Sequence, residues 1–387
     1  PEARELVEAL AACEARRAAR PRREKPKAKA VAASSPVSDA LAEDWAFCKE
    51  SLGEVSRTFA RPIALLPPRL EVAVTLGYLL CRIADTIEDH VAVDSERRDE
   101  LFALFLDVLE HGADPRPFAD AFASIEGTDP ELVLARRLDR VMRVFAAQDE
   151  PVRRACVCWV SEMARGMSLY SHRAPGEDGV AALYTTGDLE RYCYYVAGTV
   201  GHLLTDLFVH DMGADPEGPL AVSMRDRAEG FASGLQLTNI LKDVTDDFAR
   251  GVSFVPRNEC ARHGFGVARL LDPAVRSQAH AAVAPLFDLA RRHLDEALEY
   301  SLAIPAEHPQ IRLFCLLPLW MAARTLVLAR GNDAMFTPGV PVKITRAEVE
   351  ALIAECVRLV ADDAALRARY ATLYEPSSND AGASVVV

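Results

Sequence analysis

The chain has 387 residues, of which 50% are hydrophobic, and a formal net charge of −13. Such a chain can bury a large core, and its acidic balance argues against nucleic acid as the main partner. The nine cysteines form no CxxC pair, and the sequence has neither a run of 18 apolar residues nor an apolar signal core near its start. We therefore expect reduced core thiols, no transmembrane helix and a cytoplasmic location, with peripheral membrane contact left open.

Composition divides the chain into three parts. Residues 1–40 are basic and interrupted by prolines, which is typical of an arm without fixed structure; a solvated tail is favoured over a segment that touches anionic lipid. Residues 41–370 carry helical periodicity, and residues 371–387 form a short tail for which we expect no fixed structure. The sequence therefore predicts one all-α domain, residues 41–370, between two unstructured ends.

The first segment with recognisable chemistry is Thr75–His90, which reads TLGYLLCRIADTIEDH. At about 100° per residue, its polar side chains fall on one stripe and its leucine and isoleucines on the opposite side. Acids one turn apart on a mostly apolar helix can hold a cation at the edge of a cavity. The polar stripe consists of Tyr78, Arg82, Asp85 and Asp89, with Glu88 beside it.

A tyrosine-rich segment follows at Tyr192–Gly201, YCYYVAGTVG. On a regular helix Tyr192 and Tyr195 share one stripe. An aromatic stripe taken alone is more often part of a core, but a phenol at a cavity could relay a proton or stabilise a cation with its ring. Gly198 and Gly201 predict the close approach of another helix or of a substrate tail.

The third segment, Leu235–Pro256, reads LQLTNILKDVTDDFARGVSFVP. We expect a helix that ends near Gly251, with apolar residues on one stripe and polar residues on another. Three aspartates within one turn destabilise an isolated helix, and Mg²⁺ between hard oxygen ligands would relieve that repulsion. A solvated acidic face is the alternative for this cluster alone. The polar stripe consists of Gln236, Asn239, Asp243, Asp247 and Arg250, and the crowded acids are Asp243, Asp246 and Asp247.

The acidic pattern occurs twice, and two such helices can face each other across one cavity. Metal ions held between them would be bridged by a diphosphate. Departure of a diphosphate with metal assistance needs this arrangement, because the charge that develops on the leaving oxygens must be neutralised. The repetition, more than either cluster alone, favours an enzyme.

Together the three segments resemble the paired aspartate-rich motifs and the tyrosine-rich helix of the squalene and phytoene synthase family. The matching sequences are LCRIADTIED, YCYYVAGTVG and QLTNILKDVTDD followed by FVPR, in the order found in the family. Members of this family are head-to-head prenyl transferases. The resemblance extends over residues 41–370, and it implies a single-domain, all-α helical bundle of the isoprenoid synthase type around a central apolar cavity.

The resemblance also implies roles for individual residues. The family usually has arginine at Lys242 and glutamate at Asp246. It commonly has a further arginine at Val252, which Arg250 could replace here. The implied catalytic residues are Tyr192, with Tyr195 second, and Asp85, Asp89, Asp243 and Asp247. The implied metal ligands are Asp85, Glu88, Asp89, Asn239, Asp243, Asp246 and Asp247. The implied contacts to substrate or diphosphate are Ser56, Arg57, Phe59, Arg82, Tyr170, Gln236, Asn239, Lys242 and Arg250.

The implied reaction is the condensation of two farnesyl diphosphates to presqualene diphosphate, with Mg²⁺ as the metal, and NADPH-dependent reduction to squalene. FCLLP and PVKIT resemble squalene synthases, whereas YCYYVAGTVG and QLTNILKDV read like phytoene synthases. One alternative is a phytoene or dehydrosqualene synthase, which condenses two geranylgeranyl or farnesyl diphosphates without reduction. Another is a non-catalytic lipid-binding or assembly protein derived from the family. No GxGxxG follows a strand, so no residue is assigned to NADPH, and the oligomeric state stays open.

Overall fold

The computed structural model of the protein describes residues 37–56, 59–90, 93, 95–173 and 175–375. This part is all-α, as the sequence predicts, apart from two strands of two residues each. Most of the predicted N-terminal arm lies outside the described residues, and so do Arg57 and the end of the predicted C-terminal tail. The last helix ends at Thr372, two residues beyond the predicted end of the domain.

Helices make up most of the described part of the chain. In chain order they are α1 Ala42–Val55, α2 Ala60–Ile63, α3 Pro68–Asp89, α4 Ser95–His111, α5 Arg116–Ala123, α6 Pro130–Arg136, α7 Leu138–Ala146, α8 Glu150–Ser171, α9 Thr186–Cys193, α10 Thr199–Asp211, α11 Pro219–Lys242, α12 Val244–Ala249, α13 Arg257–Arg262, α14 Arg276–Ala303, α15 Pro309–Ala329, α16 Arg346–Leu359 and α17 Asp363–Thr372. A π-helical turn, Tyr194–Gly198, joins α9 to α10. Short 3₁₀ turns lie at Asp39–Leu41, Val267–Arg269, Pro273–Val275 and Asp333–Phe336, and the strands are β1 Ala181–Ala182 and β2 Val252–Ser253.

The first acidic segment forms the C-terminal half of α3, a helix of 22 residues. Pro68 stands at its first turn, where the fixed φ of proline suits a helix start and its missing N–H is not needed. Leu79, Ile83 and Ile87 are fully buried, as the apolar stripe predicts. Burial of that face turns the polar stripe of α3 toward the central cavity.

The second acidic segment is broken, and the expectation of one helix up to Gly251 is wrong. α11 ends at Lys242, Asp243 has φ −104° and ψ 18°, and α12 begins at Val244. Aspartate is poor within helices and favourable at their ends, and a break also reduces the repulsion between crowded acids. Gly251, with φ +76°, ends the segment as predicted.

The tyrosine segment contains a π turn that no sequence pattern indicates. A π turn holds more residues than an α turn, so the residues after it are rotated about the helix axis. Tyr195 lies within this turn, and its ring and that of Tyr192 both contact Tyr170, with centroid distances of 6.2 and 5.4 Å. Tyr192 lines the central cavity, whereas the ring of Tyr195 packs against Gly166 of α8, where a Cβ atom would lie 2.1 Å from it.

Glycines bring three long helices into backbone contact. A Cβ atom at Gly201 of α10 would lie 2.1 Å from the carbonyl oxygen of Ala228 on α11. A Cβ atom at Gly234 of α11 would lie 2.9 Å from the backbone nitrogen of Leu294 on α14. The predicted close approach is therefore confirmed at Gly201. Gly198 is less constrained, because its nearest neighbours are side-chain atoms at 3.1 Å or more.

Helix α15 is the one helix of the described residues that is long and apolar enough to cross a membrane, judged by length and composition alone. However, 83% of its apolar stretch is buried inside the fold. Its side chains form part of the hydrophobic core, and Phe314 and Pro318 reach the wall of the cavity. Burial within the bundle accounts for the apolar character of this helix.

Two buried arginines of α15 hold the C-terminal helices in place. Arg312 donates to the carbonyl oxygen of Val360 at 3.1 Å and to the carboxylate of Asp363 at 2.7 Å. Arg324 donates to the carboxylate of Glu348 at 2.6 Å and also to the carbonyl oxygen of residue 373. Because unpaired buried guanidinium groups are costly, these bonds fix α16 and α17 against the cavity-lining helix.

The short parallel pair of β1 and β2 connects two segments at the edge of the cavity. Ala181 pairs with Val252 and Ala182 with Ser253. Arg257 reinforces the connection with two hydrogen bonds to the carboxylate of Asp178, at 2.6 and 3.0 Å. The loop after α8 is thereby tied to the chain that leaves the second acidic segment.

Candidate active site

A central cavity of about 430 Å³ lies between α3, α8, α10, α11 and α15. One part of its wall is polar and belongs mainly to the end of α3, whereas the rest is apolar. The polar lining residues are Ser56, Tyr78, Arg82, Asp85, Glu88, Asp89, Tyr192, Gln236 and Asn239. The apolar lining residues include Val74, Met163, Met167, Val196, Val200, Leu203, Leu204, Leu207, Phe231 and Phe314.

Arg82 organises the polar stripe of α3. Its Nη2 donates to the hydroxyl of Tyr78 at 3.0 Å, and its Nη1 lies 3.5 Å from the carboxylate of Asp85. The ring of Tyr78 contacts that of Phe59, with centroids 6.1 Å apart. Tyr78 thus lines the cavity. The sequence placed it on the polar stripe, one turn before Arg82, but indicated no role for it.

The acids of α3 are held where ionisation is unfavourable. Burial raises the pKa of Asp85 to about 6, with Arg82 opposing the rise and Asp89 adding to it. Burial, together with Asp89 and Asp85, also raises the pKa of Glu88 well above its usual value. The side chain of Asp85 is nevertheless 30% exposed, and it faces the cavity. A cation delivered from the cavity would therefore stabilise the ionised forms.

The acids of the second segment stand outside the cavity lining, among residues with positive charge. Asp247 is 8% exposed, and burial raises its pKa to about 6 against the opposing effect of Arg250. Asp243 forms an ion pair with Lys242. Asp246 is exposed, so the break at Asp243 separates these three acids into different environments.

Arg250 connects the two acidic segments. Its guanidinium lies 2.7 Å from the carboxylate of Asp247 and 3.4 Å from that of Asp89. One positive charge therefore stands between acids that belong to α12 and α3. The structure brings the two segments together as predicted, with one arginine in contact with an acid of each.

The carboxylates of the two acidic segments suit an Mg²⁺ ion that is bound together with a substrate. Within the described ranges, no three acidic, histidine or cysteine side chains converge closely enough to enclose a metal ion by themselves. Mg²⁺ is commonly held by one or two carboxylates, with waters and phosphate oxygens completing its octahedron. Carboxylates on both sides of the cavity mouth, with raised pKa values and an arginine between them, meet that requirement.

The other predicted contact residues have different positions relative to the cavity. Ser56 lines it, and its hydroxyl accepts a hydrogen bond from the backbone N–H of Phe59 at 3.0 Å. Gln236 and Asn239 also line it, two turns and one turn, respectively, before the break in the second segment. Tyr170 is not among the lining residues, although its ring meets that of Tyr192 edge-on at 5.4 Å.

Tyr192 sits in an aromatic cluster at the polar end of the cavity. Its ring stacks on that of Phe254, with centroids 4.7 Å apart, and burial raises its pKa well above the usual value. The guanidinium of Arg173 lies 5.4 Å from the same ring. Sequence reasoning missed Arg173, because this residue follows α8 in a loop without a helical stripe to indicate its neighbours.

A helical bundle that surrounds an apolar cavity, with two acidic segments at its mouth, defines an all-α isoprenoid synthase fold. The sequence model of the squalene/phytoene synthase family matches residues 52–348. The chain belongs to this family, whose members are prenyltransferases that act on prenyl diphosphates and generally need a divalent metal.

Curated relatives agree with this assignment. A squalene synthase of Botryococcus braunii is 30% identical over 309 residues, which are 79% of this chain and 63% of that protein. A squalene synthase of Gibberella zeae is 28% identical over 312 residues, which are 80% of this chain and 64% of that protein. The match therefore spans less than two thirds of either relative.

Solved structures show the same fold. TcSQS in complex with the ligand E5700 superposes with a TM-score of 0.73 at 26% identity, covering 88% of this chain and 94% of that one. A dehydrosqualene synthase in complex with a ligand superposes with a TM-score of 0.54 at 23% identity, covering 82% of this chain and 96% of that one. The second likeness bears on the fold alone.

Proposed function

We propose that the protein is a squalene synthase-type enzyme, which joins two farnesyl diphosphates head to head and reduces the product to squalene with NADPH. The main support is the position of two acidic segments, linked by Arg250, at the polar end of an otherwise apolar cavity. The polar end suits charged diphosphate groups, and the apolar part of the cavity suits prenyl chains. The curated relatives named as squalene synthases support this choice of reaction.

The acids on the two sides of the cavity mouth would hold Mg²⁺ with the diphosphate oxygens. Asp85, Glu88 and Asp89 would act from α3, and Asp243, Asp246 and Asp247 from the second segment, with Asn239 beside them. Mg²⁺ bound there would neutralise the charge that develops on the leaving diphosphate. This chemistry requires the carboxylates in their ionised forms, which a nearby cation favours.

Residues with positive charge would orient the diphosphates. Arg82 is fixed by Tyr78 and Asp85, and it presents its guanidinium to the cavity. Lys242 and Arg250 would serve the same purpose at the mouth, and we propose the same for Arg57. Gln236, Ser56 and Phe59 would position the first carbons of the prenyl chains.

Tyr192 is our candidate for relaying the proton that is lost in the coupling step. It lines the cavity, its ring is fixed by Phe254 and Tyr170, and its raised pKa keeps the phenol protonated. The double bond of the second substrate attacks the allylic cation of the first, and loss of one proton to the released diphosphate, directly or by way of the Tyr192 hydroxyl, closes the cyclopropane ring. Tyr195 packs against Gly166 instead of the cavity, so its proposed part is to support this arrangement.

The apolar wall would keep water from the cationic intermediates. Squalene formation consumes a hydride, and we propose NADPH as its donor without assigning any residue to it. β1 and β2 have two residues each, so the described residues provide no dinucleotide-binding sheet.

The test is incubation of the purified protein with farnesyl diphosphate and Mg²⁺, with and without NADPH, followed by mass spectrometry of the extracted lipids. We expect squalene with NADPH and presqualene diphosphate without it. Parallel incubation with geranylgeranyl diphosphate serves as the comparison. Phytoene in that reaction, with no C30 product from farnesyl diphosphate, would replace the proposal by the phytoene synthase alternative. Absence of any coupled lipid would favour a non-catalytic member of the family.

A further inference from the structure

A second cavity, of about 250 Å³, lies next to the central one. Its lining combines apolar side chains with charged ones, which come mainly from the first turns of α3 and α8 and from the last turn of α10. Among the described residues, Leu207 of α10 is the only one that lines both cavities. The side chain of Leu207 therefore stands between them.

Three helices place the two cavities end to end. On α3, Val74 lines the central cavity, whereas Arg69, nearer the start of the helix, lines the second one. On α10, Val200 lines the central cavity and Asp211, at the end of the helix, lines the second one. On α8, residues near its start line the second cavity and residues near its end line the central one. The acids of α3 lie at its opposite end, so the second cavity lies beyond the apolar end of the central one.

The depth of the central cavity matches three isoprene units. Gly77 of α3 faces Leu203 of α10, since a Cβ atom at Gly77 would lie 3.1 Å from the leucine side chain. Val74 and Leu207 stand about one turn further toward the second cavity. Along α3, Val74 lies about 16 Å from Asp85, at a rise of about 1.5 Å per residue. An extended isoprene unit is about as long as one helical turn, roughly 5 Å, so a fourth unit would have to pass Leu207.

Packing holds Leu207 in place. Its side chain is buried, and the ring of the next residue, Phe208, meets that of Phe314 on α15 edge-on, with centroids 5.7 Å apart. The hydroxyl groups of Thr205 and Tyr300 lie 2.9 Å apart and tie α10 to α14. Because α10 is packed on both sides, Leu207 forms a rigid wall at the end of the central cavity.

The surroundings beyond Leu207 are unfavourable for a hydrocarbon. The guanidinium of Arg69 donates to the carboxylate of Asp149 at 2.5 Å, and the Nε2 atom of His210 lies 3.8 Å from the same carboxylate. Asp211 is half-buried. A prenyl unit that entered this space would remove water from charged groups, which costs free energy. A longer chain is therefore opposed twice, by the Leu207 side chain and by the charges behind it.

We propose that Leu207 is the floor of the prenyl-binding cavity and limits the chain that runs along α3 and α10 to three isoprene units. This inference rests on the proposed function, in which the diphosphate is held beside Asp85. It assigns the choice between farnesyl and geranylgeranyl diphosphate to one side chain at the far end of the cavity from the chemistry.

The test is calorimetric titration, with Mg²⁺ present, of the farnesyl and geranylgeranyl thiolodiphosphates, in which sulfur replaces the bridging oxygen. We expect the unmodified protein to prefer the farnesyl compound. In Leu207→Ala, the affinity for the geranylgeranyl compound relative to the farnesyl compound should rise by about 10- to 100-fold, because the opened space admits about two or three more methylene-sized groups. Leu207→Val opens less space, and we expect a shift of about fourfold in the same direction.

The charges of the second cavity provide an independent readout. In the double variant Leu207→Ala with Asp211→Asn, the longer chain meets an amide in place of a carboxylate, so its relative affinity should rise further. Asp211→Asn alone should leave the ratio of the two affinities unchanged, because Leu207 still keeps the chain out of the second cavity.

The matched control is Val209→Ala, which shortens another buried side chain of α10 that lines neither cavity. It should lower the melting temperature without altering the ratio of the two affinities. Thermal unfolding shows which variants keep the fold. A folded Leu207→Ala or Leu207→Val protein with the ratio of the unmodified protein would overturn the proposal and leave the proposed function intact. If the unmodified protein bound neither compound, or preferred the geranylgeranyl one, the proposed function would fail together with the floor.

Discussion

The two acidic segments have similar sequences but different backbones. The first lies on an unbroken helix, and its acids line the cavity. The second is interrupted at Asp243, and its acids surround the mouth. Despite this difference, each segment contains one aspartate whose pKa burial raises to about 6, namely the half-buried Asp85 and the buried Asp247. The comparison shows two separate effects. Burial raises the pKa of one aspartate in each segment, whereas the course of the backbone determines which acids line the cavity.

The largest expected effect is the loss of turnover when an acid of the cavity wall is replaced, compared with the loss for an exposed acid of the second segment. Asp85→Asn keeps the size of the side chain but removes its charge from the cavity wall. We expect turnover to fall by about 10²- to 10³-fold, as for other groups that stabilise charge in a transition state. Asp246→Asn changes an exposed acid of the second segment, and we expect a loss of less than about tenfold, because water can replace one exposed oxygen ligand of Mg²⁺.

Steady-state kinetics with farnesyl diphosphate at saturating Mg²⁺ measures both variants. Comparable losses would mean that all the acids reach the metal in the same way, and the distinction between the two segments would fail.

A smaller effect is expected for the arginine that connects the segments. Arg250→Gln removes the positive charge between Asp89 and Asp247, so the metal-free protein should be less stable. Because Arg250 and Asp89 are both largely exposed, we expect a loss of about 1 kcal/mol or less. Added Mg²⁺ should then raise the melting temperature of the variant more than that of the unmodified protein.

Differential scanning calorimetry with EDTA and with Mg²⁺ provides this comparison. The control is Arg291→Gln, which removes an arginine on α14 that pairs with Asp295. An equal response to Mg²⁺ in Arg250→Gln and in the unmodified protein would show that Arg250 does not compete with the cation.

The smallest effect is the pH dependence of stability without metal. The pKa of Asp85 and of Asp247 is about 6 in the folded protein, against an ordinary value of 3.8. The folded state therefore binds these protons more tightly, and the stability they contribute is present below about pH 4 and is lost as pH rises through 6. We expect on the order of 1 kcal/mol per group, since both side chains are partly hydrated.

Denaturant titrations in EDTA between pH 5 and 7 measure this loss. The double variant Asp85→Asn with Asp247→Asn should show a weaker decline over the same range. A decline as steep as that of the unmodified protein would assign the pH dependence to other groups.

Sequence reasoning was most successful where a helix is regular. The alternation on α3 identified both its buried leucine and isoleucines and the stripe that faces the cavity. The start of α16 also follows a sequence rule, because threonine is a favoured cap and Thr345 accepts a hydrogen bond from the backbone N–H of Glu348 at 3.2 Å. In such segments the 3.6-residue period determines which residues share a face.

The same period fails where the backbone departs from the α-helix. A π turn after Cys193 interrupts the tyrosine segment, and the break at Asp243 separates the acids of the second segment. Arg173 reaches the Tyr192 ring from the loop after α8, a contact that no local pattern encodes. These features depend on tertiary packing, so a single sequence does not reveal them.

The most direct test of the account is whether the two acidic segments act as one site. Calorimetry with Mg²⁺ and inorganic pyrophosphate would compare the unmodified protein with Asp85→Asn, Asp247→Asn and the double variant. Because both residues would hold the same metal–diphosphate group, we predict that the second substitution adds little to the first, with a coupling energy above about 1 kcal/mol. Losses that add to within about 0.5 kcal/mol would contradict a shared site.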